Sequence, residues 1–203
     1  MTDAPPEHRS LIAAPSRRVP EAEPTVSVVL LARTSSETAS AITALLAQVA
    51  SPVAEPDGEP PASTLLLVDA SDDGQIDLDT LGAPAAEAGL TVLTTRLPDR
   101  RGARRSLRAL VESLPERDGR RDLVWFLTDR CRPQPEALSR MVAAVGRGVA
   151  MATPKIVDVA DPGVLVRQGI QVTRTGRLVP TPQAGERDQG QHDDDVDVIA
   201  GPL

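Results

Sequence analysis

Three short, almost unbroken apolar runs constrain this chain more than any other feature: Val26-Ser27-Val28-Val29-Leu30-Leu31-Ala32, Thr64-Leu65-Leu66-Leu67-Val68-Asp69, and Leu123 to Thr128. Runs of roughly four to eight aliphatic and β-branched residues, bounded by polar turns, predict strands, the first of them a buried one. After the first run, Thr34 and Glu37 have the spacing of a capping box, and Ile42, Leu45, Leu46 and Val49 follow at helical intervals. The segment Arg101 to Leu114 places Ala103, Leu107, Leu110, Val111 and Leu114 on one helical face. Leu138, Met141, Val142 and Val145 mark a further helix. A less regular helix near residues 76 to 88 and a strand over Leu90 to Thr95 complete the alternation. Strands alternating with helices at this interval predict an α/β fold with a mostly parallel, doubly wound sheet.

Beyond Val149 the pattern changes. Val164 to Thr173 and Arg177 to Val179 predict a β-hairpin around Thr175-Gly176, followed by an acidic, Gln-rich loop from Glu186 to Asp197. Val196, Val198 and Ile199 alternate with Asp197 as in a half-buried strand, and Gly201-Pro202-Leu203 follows without a closing helix. Residues 1–24 hold Pro5, Pro6, Pro15, Pro20 and Pro24 among charges and read as a disordered tail, leaving 25–203 as one domain.

Aromatic residues make up 1% of the chain, Trp125 and Phe126, with no tyrosine. The core must therefore be aliphatic, which suits a buried parallel sheet better than a sugar-stacking β-sandwich. A net charge of −7 argues against bulk attraction to nucleic acid or anionic membrane. The single cysteine, Cys131, excludes an internal disulfide. The polar, Pro-containing start is unlike a signal peptide, and no apolar run approaches the roughly 20 residues of a transmembrane helix. The expectation is a soluble, cytoplasmic chain.

Ligands of open α/β sheets sit beyond the carboxyl ends of the strands. Three polar clusters fall there: Ala32-Arg33-Thr34, Asp69 to Gly74 including Ser71 and Asp72, and Thr128-Asp129-Arg130. Their convergence predicts a binding cleft without naming its ligand. Asp69 reads either as a turn former or as a ligand contact. The arginines at 100, 101, 104, 105 and 108 suit a solvated helix face, with Arg104, close after Gly102, best placed to line a pocket. His192, among Asp188, Asp193, Asp194 and Asp195, reads as solvated rather than metal-bound, and Cys131 as a filler rather than a nucleophile.

The order and spacing of these segments, over residues 25 to 200, resemble a family 2 glycosyltransferase of the GT-A fold. Val26 to Leu30 with Leu45-Leu46-Ala47-Gln48 is similar to the first βα unit of that family. Leu67-Val68-Asp69-Ala70-Ser71-Asp72-Asp73-Gly74 resembles the second strand, whose aspartate contacts the nucleoside. Arg101-Gly102-Ala103-Arg104 resembles the helix start lining the nucleotide pocket. Val124 to Pro133 stands where the family carries its metal-binding strand end, while Thr153 to Asp158 and Asp188 to Gln191 look like segments of an actinobacterial branch. The resemblance implies inverting transfer of a sugar from a nucleoside-diphosphate sugar to an acceptor hydroxyl. Ala32, Arg33, Thr34, Asp69, Ser71, Asp72, Gly102, Arg104, Asp129 and Arg130 would contact the donor, and Asp129 would contact the metal or diphosphate.

The chain departs from the pattern at the metal position. A divalent cation, manganese or magnesium, needs several oxygen ligands, and Asp129 stands between Thr128 and Arg130 with no second carboxylate beside it. Two readings stay open: Arg130 meets the diphosphate directly, or the slot has decayed in a non-catalytic copy. Metal dependence is expected to be weak or absent. The family's catalytic aspartate would follow a further strand and helix. The expectation is therefore a truncated domain that transfers no sugar alone and self-associates or needs a partner chain. A non-enzymatic nucleotide-binding module is the alternative. A phosphoacceptor domain built on Asp69, Thr128 and Lys155 is disfavoured, because Ala32-Arg33 replaces the acidic pair it requires.

Overall fold

A computed structural model of the chain describes residues 25–49, 62–97, 103–114, 122–145, 152–168, 171–172, 178–179 and 185–190. The expected tail, Gly102, the acidic run around His192 and the closing strand pattern lie outside the described residues.

The elements follow in order as β1 (Thr25–Ala32), α1 (Ser35–Val49), β2 (Ala62–Asp69), α2 (Leu78–Glu87), β3 (Thr91–Arg96), α3 (Ala103–Glu112), β4 (Asp122–Thr128) and α4 (Ala137–Val145). The short strands β5 (Ile156–Val157), β6 (Leu165–Arg167), β7 (Gln171–Val172) and β8 (Leu178–Val179) complete the described set. The first four strands form one parallel sheet in the order β3-β2-β1-β4. This is a Rossmann-like α/β arrangement.

The two faces of that sheet are made by alternation along β1. Val26, Val28, Leu30 and Ala32 pack with Leu65 and Leu67 beneath Ile42 and Leu45 of α1, Leu78 and Ala85 of α2, and Leu138 of α4. Val29, Leu66 and Val68 face the other way, under Leu110 of α3. The division follows from handedness. The steps from β1 to β2 and from β2 to β3 move in one direction, so their right-handed crossovers put α1 and α2 on one face. The step from β3 to β4 passes back over β1, so α3 lies on the opposite face. Each fully buried Leu or Ile contributes on the order of 1.5–3 kcal/mol from removal of apolar surface from water. Phe126 projects from β4 on the α3 side and remains 45% exposed.

The C-terminal hairpin is present in part. Gln171 pairs with Val179 and Val172 with Leu178, an antiparallel register centred on Thr175 as expected. The preceding residues behave differently: Leu165–Arg167 pairs with Ile156–Val157 rather than extending the hairpin. Lys155 in this region forms an ion pair with Asp188 at 2.7 Å.

Candidate functional site

The three clusters meet because the backbone ladder continues past the strand ends. Ala32 pairs with Asp69 in register, and the Ala70 N–H donates to the Ala32 carbonyl at 2.7 Å. On the other side of β1, Leu31 pairs with Thr128, and the Asp129 N–H donates to the Leu31 carbonyl at 3.1 Å. Ala32 is thus flanked by Asp69 and Asp129 and is itself fully buried in the core. The crevice between β1 and β4 is where the strand order reverses, the position at which doubly wound sheets accept ligands.

Asp129 is the most constrained polar residue of the site, with 1% exposure. Its Oδ2 accepts the backbone N–H groups of Arg33 at 2.7 Å and Thr34 at 3.0 Å, while Oδ1 is buried with no hydrogen-bond partner. A carboxylate from a distant turn therefore holds the approach to α1. The Thr34-to-Glu37 capping box expected from the sequence is replaced: Asp129 takes the Thr34 N–H, and Glu37 pairs with Arg132. Arg132 also donates to the carbonyls of Asp129 at 2.5 Å and Cys131 at 3.0 Å, tying the turn after β4 to the first turn of α1. Two charge-assisted hydrogen bonds at Oδ2 contribute roughly 1.5–3 kcal/mol each, against about 1–3 kcal/mol for leaving Oδ1 unpaired.

Asp69 ends β2 and builds a turn. Its Oδ1 accepts the Ser71 N–H at 2.9 Å and the Ser71 hydroxyl at 2.6 Å, and the Ser71 oxygen accepts the Gly74 N–H at 2.9 Å. The turn-forming reading of Asp69 is thus realised through one oxygen. Its Oδ2 receives no hydrogen bond among the described residues. Asp72 is exposed on the same turn. Asp73 accepts the Gln75 N–H at 3.2 Å, and this bond, with help from the Ser71 hydroxyl, holds its carboxyl below the usual carboxylate range.

Arg33 and Arg130 are both exposed at the rim, and Thr34 beside them is exposed as well. Arg104 lies in the first turn of α3, and its side chain lies outside the description. Cys131 Sγ is 3.4 Å from the Thr128 hydroxyl. Lys155 belongs to the β5–β6 region and is paired with Asp188.

The sequence reading assigned no role to two residues that the structure ties down. Arg96 ends β3 opposite Asp69 and donates to the Asp73 carbonyl at 3.1 Å. Its only signal is a cation placed directly after an alternating strand. Gln48, 4% exposed, braces α1 against the start of α4. A glutamine within an amphipathic helix carries no signal of that kind.

Comparison of the chain with known protein families and with curated proteins finds no match. Among the described residues no helix is long and apolar enough to cross a membrane.

Proposed function

We propose that the chain is a glycosyltransferase-like domain of GT-A type that binds a nucleoside-diphosphate sugar across the carboxyl ends of β2, β1 and β4. The observation that carries this reading is the meeting of Asp69, the Arg33-Thr34 turn and the Asp129-Arg130 turn around Ala32, at the strand-order reversal of a parallel sheet. A parallel sheet places the helix starts and strand-end turns on one edge, where donors and cations face a shared crevice. Asp69 retains one oxygen free of hydrogen bonds among the described residues, suited to ribose hydroxyls or a base N–H. The arginines at the rim suit phosphate oxygens. The family resemblance of residues 25 to 200 supplies the reaction class, transfer of the sugar to an acceptor hydroxyl.

A second reading, a nucleotide-binding module without transferase activity, is favoured by one observation. The carboxylate standing at the family's metal position is occupied by backbone N–H groups. Calorimetric titration with UDP, GDP and TDP sugars, on the wild-type chain and Asp69→Asn, tests the binding reading. Loss of roughly tenfold or more in affinity is expected for Asp69→Asn. Equal affinity in the two proteins removes Asp69 from the site, and absence of binding to all three donors overturns the proposal. A donor-hydrolysis and transfer assay then separates enzyme from module.

A further inference from the structure

The metal implied by the family resemblance does not fit the residues present. A divalent cation of this kind takes six or more oxygen ligands and is usually held by more than one carboxylate or by carboxylate and substrate oxygens together. Asp129 offers one oxygen that already accepts two N–H groups and a second that is sealed from solvent. Among the described residues no group of three or more His, Cys, Asp or Glu side chains converges on any point. The residues on either side of Asp129 are Thr128, which brings no negative charge, and Arg130, a cation.

The same geometry provides positive charge by another route. The register of β1 on β4 runs through Leu31 and Thr128, so Arg33 and Arg130 occupy corresponding positions just beyond the two strand ends. Both side chains are exposed. Neither guanidinium forms an ion pair or hydrogen bond among the described residues, a state shared with Arg167 of β6, whereas Arg108, Arg132, Arg140 and Arg187 are paired with carboxylates. The positive end of α1, a 15-residue helix, lies at the same rim. Exposed cations of this kind are available to an anionic visitor at little cost, and they stand out in a chain that as a whole carries −7.

We propose that the rim between β1 and β4 is a metal-independent site for a pyrophosphate-type anion, gripped by Arg33 and Arg130 over a floor fixed by Asp129. The proposal rests on the nucleoside-diphosphate reading above and deepens it. Guanidinium groups supply the planar, paired donors that a diphosphate requires, and they do the work a bridging cation does elsewhere. Asp129 acts as a positioning residue: by holding the Arg33 and Thr34 N–H groups, it fixes the turn from which Arg33 projects. The two N–H groups it holds precede Ser35, the first residue of α1.

The test is calorimetry of the full chain with inorganic pyrophosphate, in excess EDTA and then with manganese. Binding in EDTA is expected, with affinity unchanged by manganese and weakened by added salt. Arg33→Gln and Arg130→Gln are each expected to lower the affinity about tenfold, and the double variant to abolish it. Unchanged circular dichroism and melting of these surface variants show that they remain folded. Binding that requires manganese, binding that survives in the double variant, or no pyrophosphate binding by the folded wild-type chain each overturns the proposal. Nucleotide sugars that bind no more tightly than pyrophosphate would instead overturn the nucleoside reading while leaving the anion site intact. Nucleotide sugars that bind through Asp69 but ignore both arginines would do the reverse.

Discussion

The side chain of Gln48 joins α1 to α4 by using both ends of its amide: Oε1 accepts the Leu138 N–H at 3.2 Å, and Nε2 donates to the Gln134 carbonyl at 2.6 Å and the Pro133 carbonyl at 3.3 Å. The donor and acceptor partners fix the orientation of the amide unambiguously. Gln48→Leu preserves approximate size but leaves the Leu138 N–H and two carbonyls without partners inside the protein. A loss of about 2–3 kcal/mol is expected from urea unfolding, with the slope unchanged. Gln48→Glu keeps the acceptor for Leu138 and places a carboxylate against two carbonyls, so it is expected to be no better.

Asp129→Ala should behave as loss of a helix cap from an unusual distance. The N–H groups of Arg33 and Thr34 would be left facing a void, at a cost of about 2–4 kcal/mol. Asp129→Asn retains a single oxygen for those donors, relieves the burial of a charge and is expected to fall between wild type and Ala. Chemical unfolding of the three proteins checks the ranking, and a fully stable Ala variant would remove Asp129 from its role as an anchor.

Gly74 and Arg96 are coupled by space. Gly74 has φ of 63°, and a β-carbon there would stand 1.5 Å from Arg96 Nη2. Gly74→Ala is therefore expected to cost about 1–2 kcal/mol for the left-handed backbone alone, with a further cost from moving Arg96. In an Arg96→Ala background only the backbone cost should remain. A double-mutant cycle by urea unfolding reads the difference, and additive effects would show that Arg96 swings away freely.

Much of this fold is legible in the sequence, and the reason is physical. Central strands buried on both faces must be continuous apolar runs, so β1 and β2 announce themselves; β4 carries the same kind of run at the sheet edge, where Phe126 stays exposed. Helices that cover one face must carry an apolar stripe, so α1, α3 and α4 do likewise. The candidate site is legible as positions, because strand ends of a parallel sheet collect on one edge. Its bonding is not. Asp129 caps a helix start 96 positions earlier in the chain, and no local pattern encodes a partner so remote. Glu37 has a textually complete capping box and answers to Arg132 instead. The pairing of β5 with β6 was likewise invisible, since two- and three-residue strands leave no periodicity to read.

Strong acid should weaken the start of α2. Asp77 accepts the Thr80 hydroxyl at 2.7 Å and the Thr80 N–H at 3.1 Å, and these bonds hold its carboxyl below the usual carboxylate range. A carboxyl whose pKa is depressed by folding stabilises the fold above its unfolded pKa of about 3.9 and loses that contribution as pH falls through the folded value. The stability gap between wild type and Asp77→Ala is thus expected to be constant from about pH 7 to pH 5 and to narrow below about pH 4. Urea unfolding of both proteins across that range checks it. A gap that widens in acid would mean that Asp77 is held by something other than its charge-assisted cap.

The scarcity of aromatic residues has an optical consequence. Trp125 is the only tryptophan, tyrosine is absent, and the indole is buried in β4 on the face covered by α1 and α4. Nearly all near-ultraviolet absorption and intrinsic fluorescence of the chain therefore originates at a single point, on the strand that carries Asp129 and Arg130 at its end. Emission from that indole monitors whether β4 is seated against β1, undiluted by signals from elsewhere. An anion that settles at the rim and tightens the turn after β4 would be seen directly in the unlabelled protein, while one that leaves the strand undisturbed would pass without a spectral trace.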